Sequence, residues 1–270
     1  MKKLAITFIA FAALAAFALP ALAVGPIYTE DFNYAPATAL NGTGGWSAHS
    51  GAGTNPQTVA SGSLTYPGYP SSGVGNKLGT LATSGEDNNH TFTGQTAGAV
   101  YTALMVNVVS SQATGDYFFH YFDGVIANNT FRGRVFVKKD ATTTNYAFGL
   151  QFGSSTTTQV FTPFSYTPGT THLLVLKYKF NPATADDQVM LYVDPAIDCN
   201  EPSPTLTTTD ATQTDAANLD GVAIRQGSGT AAAAVQVDGI RVGLTWSDAT
   251  CDIATPAHQS SWGQIKTLYR

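Results

Sequence analysis

The stretch VQVDGIRVG, residues 235–243, decides the fold. Val235 and Val237 fall on odd positions, Ile240 and Val242 on even ones. Side chains alternate between the two faces of a strand, so one buried face cannot hold both pairs without an insertion. A bulge at Asp238-Gly239 reconciles them, because Gly accepts the positive φ that one kind of bulge needs. The pattern predicts a long buried strand whose bulge re-aims the Asp238 carboxylate. That carboxylate has two possible uses. It can accept hydrogen bonds from a neighbouring backbone, or it can ligate a cation.

The surrounding sequence has the same character. It is rich in Thr, Ser, Gly and Ala, and short apolar stretches are cut by turn clusters such as Tyr66-Pro67-Gly68 and Thr167-Pro168-Gly169. This is the profile of an all-β sandwich or barrel. Strands are predicted over 100–109, 117–122, 131–138, 146–152, 172–180, 189–193, 221–225 and 233–244. In FRGRVFVKK, strict alternation puts Phe131, Gly133, Val135 and Val137 on one face and Arg132, Arg134, Phe136 and Lys138 on the other. In YFFHYF it puts Tyr117, Phe119 and Tyr121 opposite Phe118, His120 and Phe122. HLLVLKYKF is apolar on both faces until Lys177 and Lys179, so that strand begins deep in a sandwich.

The ends read differently. MKKLAITFIAFAALAAFALPALAV opens with two lysines and an apolar run, and closes on Ala21-Leu22-Ala23, a secretory signal with a cleavage site. The expected organisation is a signal peptide over 1–23, one β-sandwich over 24–253, and a linker with a short helical tail over 254–270. In the tail, Ser261 and Gln264 have capping-box spacing, and Trp262, Ile265, Leu268 and Tyr269 form a stripe. The chain carries 13 basic and 18 acidic residues, a net charge of −5. Losing Lys2 and Lys3 moves this to about −7. Nucleic acid is excluded as a partner, since phosphate contacts need concentrated positive charge. No later segment is apolar enough to span a bilayer, so the mature chain is expected outside the cell or on its surface. Cys199 and Cys251, an even pair in an exported chain, predict a disulfide closing a loop of about 50 residues, worth ~3–4 kcal/mol.

EDFNY (30–34) and VQVDGIRVG resemble the two ends of a concanavalin A-like, or laminin-G-like, jelly roll. GDYFFHYFDG (115–124), FRGRVFVKK (131–139), VMLYVDPAIDCNEPSP (189–204) and LDGVAIRQGSG (219–229) resemble the middle of such domains in exported bacterial surface proteins. The resemblance covers about residues 28–248. It implies a two-sheet antiparallel β-sandwich whose first and last strands lie side by side. It further implies a structural calcium or sodium ion where they meet, held by Glu30 or Asp31 beside Phe32 and by Asp238. Calcium takes oxygen ligands of this kind.

Chemistry beyond that is sparse. Glycoside hydrolases on this architecture need two carboxylates at a fixed separation. The chain has three glutamates, Glu30, Glu86 and Glu201, and no E-x-D-x-x-E strand. No G-x-S-x-G elbow occurs. The expectation is therefore noncatalytic. The candidate carbohydrate-binding residues are Trp46 in a glycine-rich loop, Tyr117 and Tyr121 as a stacking platform, and Arg132 and Arg134 as polar neighbours, although the same aromatics would also suit a core. The expected partner is a polysaccharide or surface glycan. A structural extracellular module with no small ligand is the alternative.

Overall fold

The computed structural model describes residues 25–252 except 81, 127–129 and 154–157. The predicted signal peptide and the predicted tail helix lie outside them.

Fifteen strands follow one another along the described chain: β1 (Tyr28–Glu30), β2 (Ser47–Ser50), β3 (Thr58–Ala60), β4 (Lys77–Gly79), β5 (Asp87–Gln95), β6 (Ala99–Ser110), β7 (Asp116–Asp123), β8 (Phe131–Lys139), β9 (Tyr146–Gln151), β10 (Gln159–Phe161), β11 (Thr171–Lys179), β12 (Gln188–Val193), β13 (Leu206–Thr209), β14 (Leu219–Ile224) and β15 (Ala234–Gly243). Among the described residues a single short α-helix, α1 (Trp246–Thr250), follows the last strand. The strands form two antiparallel sheets. One runs β13-β12-β11-β6-β15-β4-β3 with β1 added beside β15, and the other runs β10-β9-β8-β7-β14-β5-β2. The molecule is a jelly-roll-type β-sandwich, and its first and last strands pair, Tyr28 opposite Val242 and Glu30 opposite Ile240.

Between the sheets, Leu104, Val106, Val135, Val137, Leu174, Leu176, Val222 and Ile224 form one buried core with Phe118, Phe119, Tyr121 and Trp46. Val235, Val237, Ile240 and Val242 all join it. The change of parity between them is made by a bulge: the β15–β6 register shifts between Asp238 and Arg241, and Gly239 has φ 57°. The bulge falls where β15 changes partner. Before it, Gln236 and Val237 pair with β4; after it, Ile240 to Val242 pair with β1.

The outer face of the larger sheet is also covered. Leu173 and Val175 of β11 pack with Tyr101, Met105 and Tyr192 beneath Trp246 and Ala249 of α1, which explains the two-faced apolar character of HLLVLKYKF. A capping box starts α1: the Thr245 side chain accepts from the Asp248 amide, and the Asp248 carboxylate accepts from the Thr245 amide. Cys199 and Cys251 are disulfide-bonded, which pins the 194–205 loop to the end of this helix. Beneath the loop, Glu201 accepts from Lys177 Nζ at 2.6 Å, from the Tyr101 hydroxyl at 2.7 Å and from the Tyr192 hydroxyl.

Candidate functional site

The outer face of the seven-stranded sheet is arranged by two irregularities that strict alternation does not foresee. In β7 the register shifts between Tyr117 and Phe119, so Phe118 and Phe119 both enter the core. Tyr117 and His120 then face outward, while Tyr121 is fully buried and donates to the Leu176 carbonyl. In β8 Gly133 adopts φ 59°. Phe131 lies outside, Arg132 pairs opposite Tyr121 on the core side, and Arg134 returns to the outer face. The expected faces are thus corrected. Tyr117 and Arg134 share a surface that excludes Tyr121 and Arg132. Arg132 instead donates to the carbonyls of Phe131 and Thr214 and lies 4.0 Å from Asp123. Trp46 is 1 % exposed, and its indole donates to Glu30. It anchors the core and offers no ring to a ligand.

What does assemble is a cleft of about 400 Å³ lined by His49, Ser50, Asp87, Tyr117, Ile126, Phe131 and Arg225. Tyr117 is flanked by two guanidinium groups, Arg225 at 4.2 Å and Arg134 at 4.7 Å from its ring centroid. Such contacts contribute ~0.5–2 kcal/mol each. His120 packs 4.2 Å from Phe131 and 5.6 Å from Tyr117, and His49 lies edge-on to both His120 and Phe131. The aromatic strip continues across the sheet from Tyr117 to Phe136 and Phe161. Strict alternation set His120 on the face opposite Tyr117, and the sequence did not single out His49, Phe131 or Arg225 as site residues. Their approach depends on the pairing of β2, β5, β14, β7 and β8, and no local spacing announces it.

Charge in the cleft is unevenly satisfied. Arg225 binds Asp116 at 2.8 Å and approaches Asp87 at 3.9 Å. Burial pushes Asp87 above the usual carboxylate range, against the amide of Gln226 and the charge of Arg225. Burial also holds both imidazoles neutral, His120 down to about 3 and His49 to about 4. His120 Nε2, His49 Nδ1 and Arg134 Nε are buried and have no hydrogen-bond partner among the described residues.

The expected cation ligands are engaged to different degrees. Both oxygens of Glu30 are engaged, one by the Phe32 amide at 2.6 Å and the other by Tyr34 and Trp46 at 2.9 Å. Glu30 organises the β1 turn. Asp238 lies at the bulge, where Oδ2 accepts from Ser63 and the Leu64 amide and Oδ1 accepts from the Gly239 amide. Its buried carboxyl is pushed up to about 7, mainly by burial, and the charge of Asp31 raises it further. Asp31 Oδ1 is buried without a partner among the described residues. Elsewhere Asp186, Asp187 and Asp215 cluster at the β11–β12 hairpin, but their oxygens already accept from the amides of Ala183, Ala185, Asp187 and Asn181.

No helix among the described residues is long and apolar enough to cross a membrane. No family model and no curated protein matches the chain. Among solved structures it is similar to the globular domain of T. cruzi calreticulin, with 10 % identity, TM-score 0.48, and 81 % of this chain and 87 % of that one covered. An endo-β-1,4-glucuronan lyase from Trichoderma reesei aligns at 10 % identity and TM-score 0.46, over 84 % of this chain and 99 % of its own. A glycosyl hydrolase family 16 protein from Mycobacterium smegmatis aligns at 13 % identity and TM-score 0.44, over 81 % and 100 %.

Proposed function

We propose that this protein is an exported, noncatalytic carbohydrate-binding module, and that its ligand lies in the cleft on the outer face of the seven-stranded sheet. One observation carries the reading: the aromatic floor of Tyr117 and Phe131 stands beside buried polar atoms that the described protein leaves unpartnered. Buried polar groups are normally hydrogen-bonded. A sugar supplies both halves of what is missing, an apolar ring face for the aromatic side chains and hydroxyls for the imidazoles and guanidinium.

The noncatalytic assignment rests on how the carboxylates are used. Glu30, Glu86 and Glu201 are each held by structural donors; Glu86 accepts from Gly53 and from Asn88 at 2.9 Å. Asp87 and Asp116 are tied to Arg225 and to backbone amides. A structural calcium ion, where present, would rest on Asp31 and Asp238, the pair whose mutual repulsion it would relieve.

The test is a polysaccharide-binding screen on the full-length protein, in calcium and again in chelator. Retention of a polysaccharide is expected. Failure across a broad panel of neutral and acidic polymers would return the protein to a purely structural extracellular role. A higher melting temperature in calcium, lost in Asp31→Asn, supports the ion; equal melts in calcium and chelator remove it.

A further inference from the structure

Four arginines lie among the described residues, and three have oxygen partners. Arg132 binds two carbonyls, Arg225 binds Asp116, and Arg241 reaches the carbonyls of Ala249 and Cys251 at 3.3 Å. Arg134 differs. It is only 8 % exposed, and it makes no ion pair and no hydrogen bond among the described residues. Its contacts are ring faces, Tyr117 at 4.7 Å and Phe131 at 5.3 Å, and both of those rings line the cleft. The acidic groups nearby do not complete it, because Asp116 and Asp87 are engaged by Arg225 and by the amides of Tyr117, Ser228 and Gln226.

Arg134 is nine-tenths buried, its Nε fully so, and no anion pairs with its guanidinium among the described residues, which is an incomplete arrangement. Burying a charge is unfavourable unless it is paired. The planar fork of Arg matches a carboxylate through two parallel hydrogen bonds. In the same cleft the Tyr117 and Phe131 rings lie 6.5 Å apart and add apolar surface to its lining, the kind of surface that the C–H side of a pyranose packs against. A sugar that stacks there and carries a carboxylate on its ring would satisfy both features at once.

We propose that the cleft selects acidic polysaccharides, with the carboxylate of a uronic acid residue bound by Arg134. This rests on the carbohydrate-binding reading above and sharpens it from sugars in general to polyuronates.

The experiment measures the affinity of the full-length protein for polygalacturonate and alginate, each beside its esterified form, with a neutral xylan and a sulfated galactan as further arms. The expected result is binding of at least one polyuronate roughly tenfold or more tighter than its ester, in keeping with a charge-assisted bidentate contact. Arg134→Gln is expected to abolish that preference, bringing the affinity for the polyuronate down to that for its ester. Arg134→Lys, which keeps the charge and loses the fork, is expected to restore part of it. Equal binding of acid and ester by the wild type overturns the carboxylate assignment and leaves the carbohydrate-binding reading standing. Tighter binding of the sulfated polymer than of either polyuronate also overturns it. Binding of none of the polymers overturns both. Should Arg134→Gln fail to fold, the comparison of acid with ester on the wild type decides the matter.

Discussion

The outer faces of the two sheets are built from similar residues and finished in opposite ways. On the larger sheet, Tyr101, Tyr192 and Lys177 converge on Glu201, and a loop, a helix and a disulfide seal the assembly. Among the described residues the Lys177 ammonium there meets the Glu201 carboxylate, and the Trp246 indole nitrogen is the atom left without a partner in that cluster. On the smaller sheet, Tyr117, His49, His120 and Arg134 form an equally aromatic cluster, yet three of their buried nitrogens have no partner among the described residues. A satisfied polar network stabilises a fold, whereas an unsatisfied one leaves interaction energy available to a ligand. On the proposed reading, one face supplies stability and the other recognition.

Removing the disulfide tests that division most severely. Cys199 and Cys251 are separated by 52 residues, so the double Ser variant should lose about 4 kcal/mol in the chain-entropy model. A denaturant titration measures this, and polysaccharide binding well below the melt should be unchanged. Glu201→Ala should come next, at about 2–4 kcal/mol, because it strands Lys177 in a buried setting and removes the acceptor of two tyrosines. Binding should again be unaffected; a loss in either variant would break the separation of the faces.

Acid should act through the other face. His120 and His49 are held well below the ordinary imidazole range in the folded protein, chiefly by burial. Their contribution to stability is complete above about pH 6.5 and is lost as the pH falls toward their folded values, because the unfolded chain takes up protons that the folded one refuses. The slope is roughly 1.4 kcal/mol per pH unit for each such histidine. His120→Gln should flatten the dependence of the melting temperature between pH 6.5 and 4. An unchanged slope would show that the imidazole titrates freely and is not sealed in the cluster.

The contrast also shows what the sequence could disclose. The β15 bulge was legible because Val235, Val237, Ile240 and Val242 are aliphatic on both sides of it, so only a shift of parity fits. The role of Asp238 was legible only as an alternative; the structure shows it capping Ser63 and Leu64 where β15 changes partners. The bulges in β7 and β8 were hidden. In YFFHYF and FRGRVFV both faces are aromatic or mixed, so two registers fit the pattern equally and the choice is made by the neighbouring strands. Trp46, in a glycine-rich loop, looked available to a ligand, yet Glu30 draws it into the core. The α1 helix was missed because Thr245 and Asp248 cap only a single turn.

The central claim is that the cleft around Tyr117 is the recognition surface, and one measurement addresses it directly. Affinity electrophoresis would compare the wild type with Tyr117→Ala on the same polysaccharide panel, with thermal melts recorded in parallel. The account predicts that the wild type is retarded by at least one polymer. It predicts that Tyr117→Ala loses about tenfold in affinity, the scale of one aromatic and cation–π platform, with a smaller change in stability than Glu201→Ala. Undiminished retardation of Tyr117→Ala would contradict the account and place the ligand, and the function, elsewhere on the molecule.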